Sequence, residues 1–169
     1  DLRSLIKSKP LLKKKKIISE VEFASRYTNA FIIAVTGTNG KTTTSKLIYH
    51  ILKNSGFNVG LAGNIGYSFS ESIVENQFDY YVLELSSFQL EHIINFRPDI
   101  SIITNISPDH LDRYDNKLES YADAKFNIIR NQKSSDFFIY NGDCAVTTNK
   151  INNINSKASA ICFHSSKNK

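Results

Sequence analysis

Phe31-Ile32-Ile33-Ala34-Val35-Thr36-Gly37-Thr38-Asn39-Gly40-Lys41-Thr42-Thr43 joins an unbroken apolar run to a polar loop that carries two glycines and ends in a lysine and two threonines. A continuous apolar run without polar alternation is what a strand buried on both faces of a parallel sheet requires. Beyond the loop, Leu47, Ile48, Ile51 and Leu52 recur at helical spacing within Lys41 to Asn54, and Gly56 marks the stop. A glycine loop between such a strand and such a helix lets backbone N–H groups and the helix N-terminus cradle phosphate. Lys41 then supplies a point charge to the β- and γ-phosphates, and Thr42 a hydroxyl for Mg²⁺. The strict phosphate-loop pattern asks for glycine at position 35, where this chain has Val35, so the pattern is met in all but one residue. Six of the seven glycines lie between Gly37 and Gly66, which places them where backbone must approach something closely.

Working outward, the alternation repeats. A strand near Asn58–Ala62 precedes a helix near Ser68–Glu75; Tyr80–Leu85 reads as a strand, followed by a helix over Phe88–Asn95. Pro98 breaks the chain before a strand at Ile100–Ile106, and a helix from Lys117 to Asn131 leads to strands at Asp136–Tyr140 and Ala158–Phe163. Upstream, Ser19-Glu20-Val21-Glu22 has the spacing of a capping box and starts a short helix reaching Tyr27. Strands alternating with helices predict a three-layer α/β/α doubly wound domain with a mostly parallel sheet. Ligands of such sheets lie beyond the C-terminal strand ends. The polar clusters Thr36–Thr43, Ala62–Gly66, Glu84–Ser87 and Asn105–Arg113 each follow a strand, so they are expected along one edge.

Composition narrows the function classes. The 169 residues are 41% hydrophobic and 22% charged with net charge +5, enough to bury a core and too weakly basic to name a polyanionic partner. Lys13-Lys14-Lys15-Lys16 lacks interleaved aromatic or arginine residues and reads as a solvated connector, so no nucleic acid is expected. No apolar run approaches the roughly 20 residues that span a bilayer, and no signal-peptide core opens the chain. Cys144 and Cys162 lack metal or disulfide spacing and read as buried thiols, in keeping with a cytoplasmic setting. The chain starts at Asp1 and contains no methionine, which marks it as a piece of something longer. Asn105-Ile106-Ser107 matches a glycosylation sequon by chance, given its place at the expected site edge.

Two further clusters carry chemistry. Glu84 interrupts an apolar strand at the ligand edge, where an acid needs a partner: either a cation shared with Thr42 and phosphate, or a structural Lys or Arg. Asn105-Ile106-Ser107-Pro108-Asp109-His110-Leu111-Asp112-Arg113-Tyr114 gathers oxygen and imidazole groups suited to a metal and a phosphoryl transition state. His50, His92 and His164 read as structural histidines, and by spacing alone Lys125 is a solvated helix lysine.

Taken in order, Gly37 to Thr43, Gly63-Asn64-Ile65-Gly66, Tyr81 to Glu91, Asn105 to Tyr114 and Tyr121 to Lys125 resemble the Mur ligase superfamily, which includes the folylpolyglutamate synthases. The resemblance covers nearly all of residues 16–169, and Leu83-Glu84-Leu85-Ser86-Ser87-Phe88-Gln89-Leu90 resembles the branch that adds D-glutamate. It implies residues 1–28 as the end of a UDP-binding domain and linker. Residues 29–169 are then an incomplete central ATP-binding domain, without the C-terminal ligase domain. It also implies an ATP-dependent, ADP-forming ligase joining D-glutamate to UDP-N-acetylmuramoyl-L-alanine through an acyl phosphate, in peptidoglycan precursor synthesis. The piece alone is expected to be inactive, and the protein a cytoplasmic monomer. Carried over by motif, Gly37, Thr38, Asn39, Gly40, Lys41, Thr42 and Thr43 bind ATP, and Asn64, Ser86 and Tyr121 line the substrate site. Thr42 and Glu84 hold a first Mg²⁺; His110 and a carbamylated Lys125 hold a second. Lys41, His110 and Lys125 are the expected catalytic residues. A nucleotide-binding switch is the rival from another class, but no guanine-selective Asn-Lys-x-Asp string is present.

Overall fold

The structure, a computed structural model, describes residues 8–9 and 15–164. Lys13 and Lys14 fall outside the described residues; Lys15 and Lys16 are exposed. The elements run α1 (Glu20–Ala24), β1 (Phe31–Thr36), α2 (Lys41–Asn54), β2 (Val59–Gly63), α3 (Phe69–Glu75) and β3 (Tyr80–Glu84), and continue with α4 (Ser87–Leu90), β4 (Ile100–Ile103), α5 (Leu118–Phe126), β5 (Phe137–Asn141), α6 (Ala145–Ile151) and β6 (Ser159–Phe163). Short 3-10 turns occupy Ser25–Tyr27, Leu111–Tyr114 and Asn127–Ile129.

Six strands form one sheet in the order β2-β3-β1-β4-β5-β6, and every ladder is parallel. The chain leaves β1 to one side, returns through β3, and then crosses to β4 on the other side. That reversal opens a crevice at the C-terminal end of β1, where a doubly wound sheet binds its ligand. Alternate residues of each strand face opposite layers. Ile32, Ala34, Tyr81, Leu83, Ile103 and Phe138 enter the larger core cluster, while Ile33, Val35 and Ile102 face Ile48 and Leu52 of α2. The apolar stripe predicted for α2 is therefore only half used: Leu47 and Ile51 remain 56% and 54% exposed.

Several boundaries depart from the sequence expectation, each for a visible reason. The helix expected over Phe88–Asn95 stops at Leu90 because the following N–H groups are claimed elsewhere. Oε2 of Glu22, a fully buried carboxylate, accepts from the backbone of Ile94, Asn95 and Phe96 at 2.9, 2.9 and 2.8 Å. This also halves the expected capping box. Ser19 Oγ accepts the Glu22 N–H at 3.2 Å, but the Glu22 side chain leaves its own helix to organise the turn some seventy residues on. β4 ends at Ile103 rather than Ile106, since Thr104 and Asn105 turn toward the β1 loop. The helix α6 had no strong apolar period and was not expected. Cys144 is half-buried and Cys162 exposed, against the expectation of two buried thiols. Among the described residues no helix is long and apolar enough to cross a membrane.

Candidate functional site

The four polar clusters do converge at the C-terminal edge, and hydrogen bonds join them. At Gly37, φ is +146° and a Cβ would overlap the Thr104 hydroxyl, so only glycine lets the loop lie against β4's end. Gly40, at φ +81°, takes the left-handed turn that caps α2. The loop between them is laced from the β4 side. Asn105 grips both polar groups of Asn39, its Oδ1 accepting from the amide at 2.9 Å and its Nδ2 donating to the carbonyl at 3.0 Å. Thr104 Oγ1 donates to the same carbonyl at 2.7 Å, and Ser107 N–H donates to Thr38 Oγ1 at 3.0 Å. Asn105 belongs to the polar cluster singled out from the sequence, whereas Thr104 falls in the stretch expected as strand and carried no signal of its own. Lys41 folds back across the loop, with Nζ donating to the carbonyls of Gly37 and Thr38 at 3.0 and 2.8 Å.

The second group lies on the β3 side. Glu84 is 1% exposed, and β2 and β3 place it opposite Gly63. Its Oε2 accepts from Thr42 Oγ1 at 2.7 Å and its Oε1 from Asn64 Nδ2 at 3.0 Å. Among the described residues no Lys, Arg or His forms an ion pair with it. The structural-ion-pair reading of Glu84 therefore has no support. A buried carboxylate held by a hydroxyl and an amide is a set of hard oxygen donors, and it fits Mg²⁺. Ser86 serves as the N-cap of α4 in a reciprocal capping box with Gln89, which accounts locally for the Ser-Ser-Phe-Gln string.

The third group sits beneath and beside the loop. Lys125 is 1% exposed, and its Nζ donates to the Gly37 carbonyl at 2.8 Å. Burial, reinforced by the positive charge of Lys41 and opposed by Asp109, lowers its pKa to about 7. The solvated lysine read from spacing is thus a buried amine, uncharged for much of its time near neutral pH. Its ammonium lies 4.5 Å from the centre of the Tyr121 ring. Tyr121 itself is 2% exposed, and its hydroxyl lies 3.3 Å from Thr38 Oγ1, which places it as a support under the loop. His110 adopts a left-handed backbone, φ 49°, an uncommon conformation for a non-glycine residue. Its ring lies 5.5 Å from Phe88, over which the Arg113 guanidinium stacks at 4.3 Å while binding Glu91. Among the described residues no three His, Cys, Asp or Glu side chains gather as a metal site.

With that geometry in hand, comparison is informative. The Mur ligase middle domain matches residues 35–169. The chain belongs to the Mur ligase family. Over 127 residues it is 60% identical to the UDP-N-acetylmuramoylalanine--D-glutamate ligase of Bacteroides fragilis, a match covering 75% of this chain and 29% of that protein. The enzyme of the same name from Porphyromonas gingivalis is 54% identical over 124 residues, covering 73% of this chain and 28% of the relative. The chain thus spans less than a third of the length of these curated relatives. Among solved structures, the MurF ligase of Thermotoga maritima in complex with ADP superposes with a TM-score of 0.71 at 22% identity, covering 88% of this chain and 36% of that one. FolC of E. coli in complex with DHPP and ADP gives 0.58 at 19% identity, covering 87% and 48%. At those identities the likeness speaks to the fold alone.

Proposed function

We propose that this chain is the ATP-handling part of a ligase that joins D-glutamate to UDP-N-acetylmuramoyl-L-alanine. Residues 1–28 would be the end of a preceding UDP-binding domain with its linker, and residues 29–169 the central domain. The observation that carries the proposal is the hydrogen bond from Thr42 to the buried Glu84 carboxylate beside a glycine loop, in a chain 60% identical over 127 residues to a D-glutamate ligase. ATP would phosphorylate the alanyl carboxylate, the amine of D-glutamate would attack the acyl phosphate, and phosphate would leave the tetrahedral intermediate.

In that scheme the amides at the start of α2, Lys41 to Thr43, would serve the phosphates, the Thr38 and Asn39 N–H groups being held by Asn105, and Lys41 would exchange its two carbonyl partners for phosphate oxygens. Thr42 and Glu84 would hold one Mg²⁺, and His110 with carbamylated Lys125 a second, supplying positive charge where the transferring phosphoryl group gathers negative charge. Formation of that carbamate needs an uncharged amine, which the burial of Lys125 provides at neutral pH. Asn64, exposed at the end of β2 and bound to Glu84, is set to reach a substrate. We place the reaction in the cytoplasm, by a monomer.

The test uses the longer protein that carries this chain. Phosphate release should need Mg²⁺-ATP, UDP-N-acetylmuramoyl-L-alanine and D-glutamate together, and should fail with L-glutamate. Release indifferent to both acceptor substrates would overturn the ligase assignment. The 169-residue chain alone should bind nucleotide without turning it over.

A further inference from the structure

The ligase scheme leaves one cluster of reactive side chains unused, at the far end of the sheet. β5 and β6 pair with Tyr140 opposite Cys162 and Asn141 opposite Phe163, so the Tyr140 and Cys162 side chains share a face. His164, two residues beyond Cys162, returns to that face, and Asp143 enters from the turn after β5. Asp143 Oδ1 lies 2.9 Å from His164 Nδ1, and His164 Nε2 lies 3.4 Å from Cys162 Sγ. A carboxylate only accepts, so Nδ1 carries the ring proton and the Nε2 lone pair faces the thiol. The alternative acceptor for the thiol, the Phe163 carbonyl, is more distant at 3.9 Å. Gly142 makes the arrangement sterically feasible, because a Cβ there would overlap both Sγ and the imidazole ring. The Tyr140 hydroxyl beside them has its pKa raised, by burial first and then by its contact with Cys162, and stays protonated.

Cys144 offers a contrast within the same chain. It is half-buried; burial pushes the thiol up, but the Thr147 hydroxyl and the N–H groups of Ile106, Thr147 and Val146 outweigh it and hold its pKa below the ordinary value, while its S–H faces the Ile106 carbonyl at 3.5 Å, which cannot take up the proton. Cys162 is exposed, and its one imidazole neighbour is oriented by a carboxylate.

We propose that Cys162 is a thiol-modification site that exchanges with low-molecular-weight disulfides, with His164 as its base and Asp143 as the positioning residue. The Sγ–H proton passes to His164 Nε2 as the thiolate attacks one sulfur of R–S–S–R. An Sγ–S bond forms, the reagent's S–S bond breaks, and the departing thiolate takes the proton back from the imidazolium. Cys162 is oxidised to a mixed disulfide, and half of the reagent is reduced to RSH. An oriented base of this kind raises thiolate reactivity without altering the fold.

The experiment follows mixed-disulfide formation on the native chain by intact mass, using hydroxyethyl disulfide, which is uncharged and so insensitive to charge steering. Each cysteine is isolated by changing the other: Cys144→Ser leaves Cys162, and Cys162→Ser leaves Cys144. Cys162 should react about tenfold faster in the native chain than in denaturant, where the His164 base is no longer held against it. His164→Gln should slow Cys162 by about tenfold and leave Cys144 unchanged, while Asp143→Asn should give an intermediate loss. In denaturant all variants should react alike, which separates the array from intrinsic thiol chemistry. Should His164→Gln disturb the fold, as judged by circular dichroism, the Asp143→Asn rate and the native-to-denatured ratio for Cys162 still decide. A Cys162 rate unaffected by His164→Gln and Asp143→Asn, or no faster in the native chain than in denaturant, would overturn the proposal.

Discussion

Replacing Lys125 by methionine should stabilise the fold, and by an amount that shrinks as pH rises. The lysine is 1% exposed, and its pKa falls from 10.5 to about 7 when the chain folds. At ~1.4 kcal/mol per pKa unit, burying the ammonium costs about 5 kcal/mol in strongly protonating conditions. Between pH 7 and 10.5 the unfolded chain binds more protons at this site than the folded one, so stability rises with pH across that window. The linkage relation gives a cost of about 4 kcal/mol at pH 7 and about 2 kcal/mol at pH 9. Methionine fills a similar volume without the charge, but it forfeits the hydrogen bond to the Gly37 carbonyl, worth about 1 kcal/mol. The net gain should therefore be about 3 kcal/mol at pH 7, falling to about 1 kcal/mol at pH 9.

Urea denaturation of both proteins at the two pH values measures this directly, and the titrating groups not coupled to Lys125 cancel in the difference. The buffers must be free of CO₂, since the uncharged amine would otherwise be consumed as carbamate. A methionine variant no more stable than the parent at pH 7, or a gap that stays constant with pH, would refute a buried amine of lowered pKa. The converse result would mean that this position sacrifices stability for the chemistry of its amine, which is how reactive sites commonly depart from the optimum for folding.

Glu22→Ala should cost about 2–3 kcal/mol in chemical denaturation, because it removes the acceptor of the Ile94, Asn95 and Phe96 N–H groups, the last of them buried, and releases the half-exposed Arg26 guanidinium. Burial pushes the Glu22 carboxyl up, but the N–H groups of Ile94, Phe96 and Asn95 together with Arg26 outweigh it and hold the pKa below its usual value. Its contribution is thus present above the ordinary carboxylate range and lost as pH falls through the lowered value, so the parent and Glu22→Gln should converge in stability on acidification. Glu84→Gln keeps a hydrogen-bonding partner for Thr42 and Asn64 but removes the charge; the enhancement of ADP binding by Mg²⁺, read by calorimetry, should drop about tenfold, and an undiminished enhancement would remove Glu84 from the metal site. Gly37→Ala should cost about 1–3 kcal/mol in backbone strain and speed hydrogen exchange at the Asn39 amide; unchanged exchange there would show that the loop tolerates the clash with Thr104.

What could be read from the sequence follows from which forces are local. The buried strands of the sheet were legible because apolar runs have few other homes, and the glycine loop because its conformation demands glycine. Helix lengths were not, because they are decided by partners remote in sequence. Nothing near Phe88–Asn95 announces that a carboxylate at position 22 will take the N–H groups of Ile94, Asn95 and Phe96. Lys125 illustrates the same limit at the site. Its spacing on α5 suggests a solvated residue, and only packing of that helix under the loop reveals a buried amine on the Gly37 carbonyl. Asn64, found bonded to Glu84, stood out in its glycine-flanked turn, whereas the clamp that Asn105 exerts on Asn39 depends on two strand ends becoming neighbours.

The missing glycine at position 35 acquires a physical reason in this setting. Val35 is fully buried as a strand residue, paired to Glu84 on one side and Ile102 on the other. β1 therefore keeps its ladder through Thr36, whose hydroxyl donates to the Leu85 carbonyl at 2.8 Å, and the turn begins one step later at Gly37. The carbonyl of Val35 accepts from Leu85 N–H at 2.8 Å, so the strand bearing the loop is fixed to the strand bearing Glu84 just before both reach the crevice. On its other flank the loop is bound by Thr104, Asn105 and Ser107. A glycine at 35 would weaken the ladder that sets the Thr42-to-Glu84 spacing, since an interior strand glycine packs nothing and costs backbone entropy. The loop gains its rigidity from two flanking strands, and the carboxylate that faces Thr42 is positioned by the same hydrogen bonds that hold the loop.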